Sequence, residues 1–366
     1  MLKWSTIRTA DILWLSLVSK PRWKMRKHAL ALGLFAVLLL PVLAMGQASP
    51  VLVLKRRIPL ANVKGRMDHL GVDVKGQRRF AAAFDNHTLE VIDLQAGKQV
   101  HTIANLEEPQ AAYFDASSNR LFVSSEGDGA VKIFDGSTFQ LLQSVKLSTD
   151  ADNIRYDGRN KHILVGYGGE KFRAGKVWRG HGDGALAFLD SAGGKAGEIA
   201  IDAHPESFQL EKSGTRVFVN VPDRKEIQVA DLAKNAVVAH WPVADCMDNF
   251  PMALDEAHHR LFVACREPAK LLVFDTQMGK EVASLETVVS DDLFYDASKS
   301  RIYVLGDKGF MDAFQQKDAD HYTKIGSYPT GPGAWTGFFV PEWGELFVAT
   351  RAQNGQSGAI LVFETK

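Results

Sequence analysis

One short pattern, an opening residue that is acidic in six of its seven copies, then a polar turn and an apolar strand, returns along the chain. It opens at Asp73 (DVKGQRRF), Asp115 (DASSNRLFV), Asp157 (DGRNKHILV), Glu211 (EKSGTRVFV), Asp255 (DEAHHRLFV), Asp296 (DASKSRIYV) and Val340 (VPEWGELFV). Successive openings are 42, 42, 54, 44, 41 and 44 residues apart. A second strand repeats in step with the first: LEVIDL, VKIFDG, LAFLDS, IQVADL, LLVFDT, MDAFQQ and ILVFET. Short runs rich in Val, Ile, Leu and Phe, bounded by Gly, Asp, Asn and Ser, read as strands rather than helices. A sustained period of this length, with about four short strands per unit, is one blade of a propeller. The predicted fold is therefore all-β, a single seven-bladed β-propeller with about four antiparallel strands in each blade.

The two ends of the repeat region support closure. The chain stops at AILVFETK, the third strand of the seventh unit, while SPVLVLKRRIPL, ahead of the first unit, reads as a fourth strand without its first three. Pairing the two completes the last blade and removes an exposed edge that would template aggregation. These repeats resemble those of the exported YncE-like proteins, in the wider group of YVTN-type seven-bladed propellers related in fold to quinoprotein amine dehydrogenase β chains. The resemblance runs over residues 50–366 and implies an extracytoplasmic scaffold for binding or catalysis. It does not fix the activity, because propellers host many unrelated functions.

The amino terminus has a different composition. Met25-Arg26-Lys27-His28 followed by ALALGLFAVLLLPVLAMGQASP has the basic, apolar and small-residue regions of a secretory signal. The expected organisation is residues 1–24 as an extension or misassigned start, 25–48 as a signal peptide cleaved near Gly46 or Ala48, and 49–366 as the propeller. An uncleaved anchor is the alternative, since Ala29 to Met45 approaches the shortest spanning helix. Pro41 and the small residues after it favour cleavage, which leaves a mature chain with no membrane span, in the periplasm or secreted. The only cysteines, Cys246 and Cys265, would be free to pair in such a compartment. Two buried free thiols are the alternative, since spacing alone does not bring their Cα atoms together.

Lysine plus arginine equal aspartate plus glutamate, 43 each, so the chain lacks the overall basic footprint of most nucleic-acid binders. Nucleic acid is therefore an unfavoured partner. No haem-attachment or CxxC pair, no G-x-S-x-G elbow, no HExxH and no phosphate-binding glycine loop occurs.

Candidate site residues come from the repeat itself. Five and four residues before each opening stand Asp68-His69, Gln110-Ala111, Asp152-Asn153, Glu206-Ser207, Phe250-Pro251, Asp291-Asp292 and Trp335-Thr336. In a propeller these precede the innermost strands, so four blades place a carboxylate at one channel mouth. Asp150, His204 and Asn249 lie nearby in sequence. Converging carboxylates repel unless a cation offsets them, and Asp152, Asn153, Glu206, Asn249 and Asp291 form a set of oxygen donors suited to a divalent cation such as Ca²⁺. His69 and His204 would admit a transition metal instead, or act as bases beside a hard ion. Polar turn formers at a hydrated mouth would look much the same.

The long third interval places its extra residues in GYGGEKFRAGKVWRGHGDGAL, Gly166–Leu186, on the same face. Such an insertion in a regular scaffold is often functional. It carries Lys171, Arg173, Lys176, Arg179, Trp178 and His181, of which Trp178 and His181, with Arg155, are assigned to ligand or cofactor contacts. A hairpin that merely shields the blade top is the alternative. Three readings of function follow. The first is a monomeric binding protein holding a small molecule, ion or partner protein on the polar face. The second is a metal-dependent hydrolase or lyase, lactonase-like in chemistry, with His69 or His204 moving the proton. The third is a scaffold or redox-partner subunit, for which an extended apolar patch is expected.

Overall fold

The computed structural model describes residues 50–366 except 174, 175 and 354, and the side chains of 170–183 are outside the description. The extension and signal peptide assigned to residues 1–48 also lie outside the described residues. The 28 strands form seven four-stranded antiparallel sheets. Blade one contains β2 (Leu70–Asp73), β3 (Arg78–Ala83), β4 (Thr88–Asp93) and β5 (Lys98–Ile103). Blades two to six repeat this order, from β6 (Pro109–Asp115) through β25 (Tyr322–Pro332). Blade seven joins β26 (Gly337–Val340), β27 (Glu345–Thr350) and β28 (Ala359–Thr365) to β1 (Leu52–Pro59), as the leftover strands predicted. β1 pairs with β28 from Leu52↔Thr365 to Pro59↔Ala359. The innermost strands touch in succession, β2 to β6, β6 to β10 (Ile154–Asp157), β10 to β14 (Phe208–Leu210), β14 to β18 (Met247–Asp255) and β18 to β22 (Leu293–Asp296), and β26 touches β2. Among the described residues there is no α-helix, only single turns of 3₁₀ helix at Phe84–Asn86 and Pro222–Arg224.

The carboxylates that mark the repeat are turn caps. Asp73 accepts from the Gly76 N–H, Asp115 from Ser117, Asp157 from Arg159 and Asp296 from Ser298. The second series does the same between third and fourth strands, with Asp93, Asp135, Asp231 and Asp275 accepting from backbone N–H groups two or three residues on. A short acceptor side chain closes each tight turn without help from the rest of the fold. Beside this turn every blade carries a register shift between its third and fourth strands, as at Val91/Ile92, Ile133/Phe134 and Val273/Phe274, and in blade seven at Leu54/Arg56. A bulge sharpens strand twist, and its repetition gives each blade the same propeller pitch.

Between blades the core is aromatic. Phe80, Phe122, Phe218, Phe262, Tyr303 and Phe347 occupy one position of the second strands and are fully buried. One residue earlier the blades place Leu121, Ile163, Val217, Leu261, Ile302 and Leu346, all buried, but blade one places Arg79. Its guanidinium lies 3.7 Å from the Phe347 ring centroid and 4.9 Å from that of Phe338. None of its three nitrogens has a hydrogen-bond partner among the described residues. Cys246 and Cys265 form a disulfide with Cα atoms 6.0 Å apart, which resolves the alternative left by their spacing.

The insertion is an extension of the second and third strands of blade three. β11 (His162–Arg173) and β12 (Lys176–Leu189) pair beyond the blade through Glu170↔Arg179 to Arg173↔Lys176. Two glycines let its base close on the channel: a Cβ on Gly184 would meet the Ala203 carbonyl oxygen at 1.8 Å, and one on Gly169, at φ +79°, the His204 backbone nitrogen at 2.1 Å.

Candidate functional site at the axial mouth

The seven residues five before each repeat opening, Asp68, Gln110, Asp152, Glu206, Phe250, Asp291 and Trp335, all line one cavity of about 70 Å³. Each stands just before an innermost strand or, like Gln110 and Phe250, within one, so the ring symmetry alone delivers one side chain per blade to the axis. His69 and two arginines, Arg66 and Arg266, complete the lining. The volume suits an ion with its water shell or a very small molecule.

Two of the four carboxylates are neutralised in place. Arg66 donates through Nε at 3.1 Å, and through Nη2, to Asp68, and extends to Gln110 at 3.2 Å. Arg266 donates through Nη2 to Asp291 while its guanidinium stacks 3.6 Å from the Phe250 ring centroid. Burial nonetheless dominates at Asp68, where neighbouring carboxylates add to it and raise the carboxyl from 3.8 to about 6 despite the Arg66 and His69 charges.

Asp152 and Glu206 converge with His204. One ligand atom from each lies within 4.8 Å of the others, and all three residues are buried. His204 Nε2 stands 3.8 Å from Asp152 Oδ2 and 4.0 Å from Glu206 Oε1. Its Nδ1–H donates to the Gly168 carbonyl at 2.7 Å, with Asp150 Oδ2 at 3.3 Å. The bond to that carbonyl fixes Nδ1 as the donor and aims Nε2 at the carboxylates, the orientation in which a neutral imidazole ligates a metal. Mixed carboxylate and imidazole donors at this separation fit a divalent ion with ligand distances of about 2.0–2.6 Å.

His69 is held differently. Its Nδ1–H donates to Asp292 at 3.1 Å, and Asp292 also accepts from the Gly337 N–H at 2.9 Å. Nε2 faces Asp68 at 3.5 Å, Asp152 at 3.8 Å and Asn153 Nδ2 at 3.3 Å. Burial opposes a charge here, but Asp292, Asp68 and Asp152 outweigh it and hold the imidazolium well above its ordinary value.

The sequence-derived candidates therefore separate. Asp152, Glu206 and His204 come together; Asp291 lines the same cavity but is bound to Arg266. Asn153 lies against His69. Asn249 donates to Asn220 Oδ1 at 3.0 Å and to the Glu226 carbonyl at 3.1 Å, and is not among the residues lining the cavity. Arg155 lies on the other side of His69, in the channel below. The side chains of Trp178 and His181 lie outside the description, although the backbone pairs Trp178 with Lys171 and His181 with Ala203. Sequence reasoning missed Arg66 and Arg266. For Arg266 there was a signal: it ends RLFVACR where the second blade has RLFVSSE, an exchange of charge at one aligned position.

No protein-family model matches this chain, and no curated protein matches it. Solved structures do. Kuenenia stuttgartiensis hydrazine synthase superposes with a TM-score of 0.67 at 14% identity, over 79% of this chain and 93% of that one. A chain of a mitotic checkpoint complex gives a TM-score of 0.67 at 12% identity, over 85% of this chain and 91% of that one. At such identities the likeness is one of fold alone, the seven-bladed propeller.

Proposed function

We propose that this chain is an exported, YncE-like binding propeller whose axial mouth holds a divalent cation on Asp152, Glu206 and His204 and presents it to a small ligand. The observation that carries this reading is the buried convergence of Asp152, Glu206 and His204, of which the two carboxylates line a cavity that also receives the ring residue of every other blade. Export is supported by the signal-like residues 25–48 and by the disulfide, which belongs to an oxidising compartment. Arg66 and Arg266, each holding its own carboxylate, keep Asp68 and Asp291 from adding their full charge to the ion's surroundings.

The test is metal content together with thermal unfolding. Purified protein is expected to contain close to one equivalent of a divalent metal and to melt lower after chelation. Asp152→Asn/Glu206→Gln should lose both the metal and the chelator response. Wild-type protein that takes up no metal on dialysis against Ca²⁺, Zn²⁺ or Mn²⁺ would refute the reading.

A second reading, metal-dependent hydrolysis or elimination on an ester or lactone, is favoured by one observation. His69 lines the same cavity, fixed by Asp292, with Nε2 toward Asp152. There it would hold a proton beside a carbonyl polarised by the ion. Turnover of a lactone panel by metal-loaded protein, lost in His69→Gln with the metal retained, would establish it; no turnover by the loaded protein would leave binding as the function.

A further inference from the structure

Below His69 the channel opens into a second chamber of about 420 Å³, within the range of about 300–1,000 Å³ typical of small-molecule sites. Its chemistry is the reverse of the mouth. The ring two residues before each repeat opening carries one charged side chain, Arg155, three aromatic ones, Tyr113, Phe294 and Phe338, and otherwise glycine, alanine and glutamine. Tyr113 stacks on Tyr156 with centroids 5.7 Å apart and planes at 11°. Phe294 faces Phe338 at 6.5 Å. Asp292, the one carboxylate in the wall, already accepts from His69 and from the Gly337 N–H.

Arg155 has few partners of its own. Nη1 donates to the carbonyl of its chain neighbour Ile154 at 2.9 Å, and Nη2 reaches Ser207 Oγ only at 3.5 Å. Asp292 and Asp152 act on it at longer range, and burial outweighs them, disfavouring its charge. Lys212 adds to the positive charge that Arg155 and the His69 imidazolium bring to the lining. A guanidinium fork set among aromatic rings in a confined space is a receptor for a planar anion: the fork takes two oxygens and the rings take the face.

We propose that this lower chamber is a second binding site, distinct from the cation centre, for a small aromatic carboxylate whose carboxylate pairs with Arg155 and whose ring lies against Tyr113, Phe294 and Phe338. The site needs no metal, so it stands or falls independently of the mouth.

The probe is 2-naphthoate, compared with its neutral isostere 2-naphthamide, titrated calorimetrically into the disulfide-intact protein in EDTA. Naphthoate should bind at least about tenfold more tightly than the amide, the value of a charge-assisted pair in a dry site. Arg155→Met should remove that preference while leaving the amide's affinity in place, and Phe338→Ala should weaken both probes. The wild-type comparison requires no variant to fold. Absence of naphthoate binding at millimolar concentration, equal affinity for the two probes, or a preference that survives in folded Arg155→Met would each overturn the proposal.

Discussion

Replacing Arg79 with methionine should stabilise this protein. The side chain is fully buried, its three nitrogens lack hydrogen-bond partners among the described residues, and burial drives its pKa well below the ordinary arginine value, with only Glu345 acting against that. Each unpartnered buried donor costs about 1–3 kcal/mol, more in a charged group, and the guanidinium presents three such nitrogens. Contact with the Phe347 and Phe338 rings returns about 2 kcal/mol, or somewhat more in a desolvated site. Methionine keeps the unbranched stem and removes the charge, as the aliphatic residues at the same position of the other six blades do. By analogy with buried ionic groups exchanged for apolar ones, the gain is about 1–4 kcal/mol. At about 2 °C per kcal/mol for a domain of this size, Tm should rise by roughly 2–8 °C. The assay is calorimetric unfolding of wild type, Arg79→Met and Arg79→Lys, the last retaining charge while losing the planar stack. A methionine variant less stable than wild type by more than about 1 kcal/mol would refute the reasoning, because it would mean the guanidinium contributes more than its desolvation costs.

Reducing the disulfide, or replacing both cysteines with serine, should cost about 3 kcal/mol, since residues 246 and 265 are 19 apart and the bridge removes that loop's freedom from the unfolded chain; a melting curve unchanged by dithiothreitol would contradict it. Stability should also depend on pH through the mouth. Asp68 titrates near 6 when folded against 3.8 otherwise, so the folded state binds the extra proton between these values and stability falls as pH rises from about 4 to 6, by up to about 3 kcal/mol. His69, raised above its ordinary value, adds stability that is complete below 6.5 and lost as pH climbs through its folded value. Carboxylates held low by turn N–H groups, such as Asp275, act in the opposite sense and only at more acid pH. Melting temperatures of wild type and Asp68→Asn, in chelator between pH 4 and 8, should therefore converge toward pH 4 and diverge near pH 6; parallel curves would contradict the assignment.

The repeat made the ring legible because each blade must solve the same local problem. The capped turns at Asp115 and Asp135 need only their own neighbours, so the amino-acid spacing carries them in full. Position along the chain was equally legible: the pairs five and four residues before each opening include all seven residues that ring the mouth. What the period does not encode is the direction of an individual side chain. Asn249 stands one residue before the ring position, which Phe250 occupies, and turns to Asn220, while Asp291 is at the ring position but meets Arg266 from the second strand of the neighbouring blade. Those choices depend on pairwise contacts between residues distant in sequence, as does the Asp292–His69 hydrogen bond across 223 residues. Arg79 departs from the period altogether, since the aligned position of the other six blades is aliphatic and buried.

The pairing of β1 with β28 brings Val51 and Lys366 within one hydrogen bond, the Lys366 N–H donating to the Val51 carbonyl at 2.9 Å. In this ring the order in which the blades are written is therefore separable from the order in which they stand. A short linker from Lys366 to Val51, with new ends cut in the exposed 233–235 turn of blade four, would restate the same circle from a different starting word. Val51 and Lys366 meet at the ends of the two outer strands of blade seven, so attachment to a surface through Lys366 places the load on the rim and not on the axis.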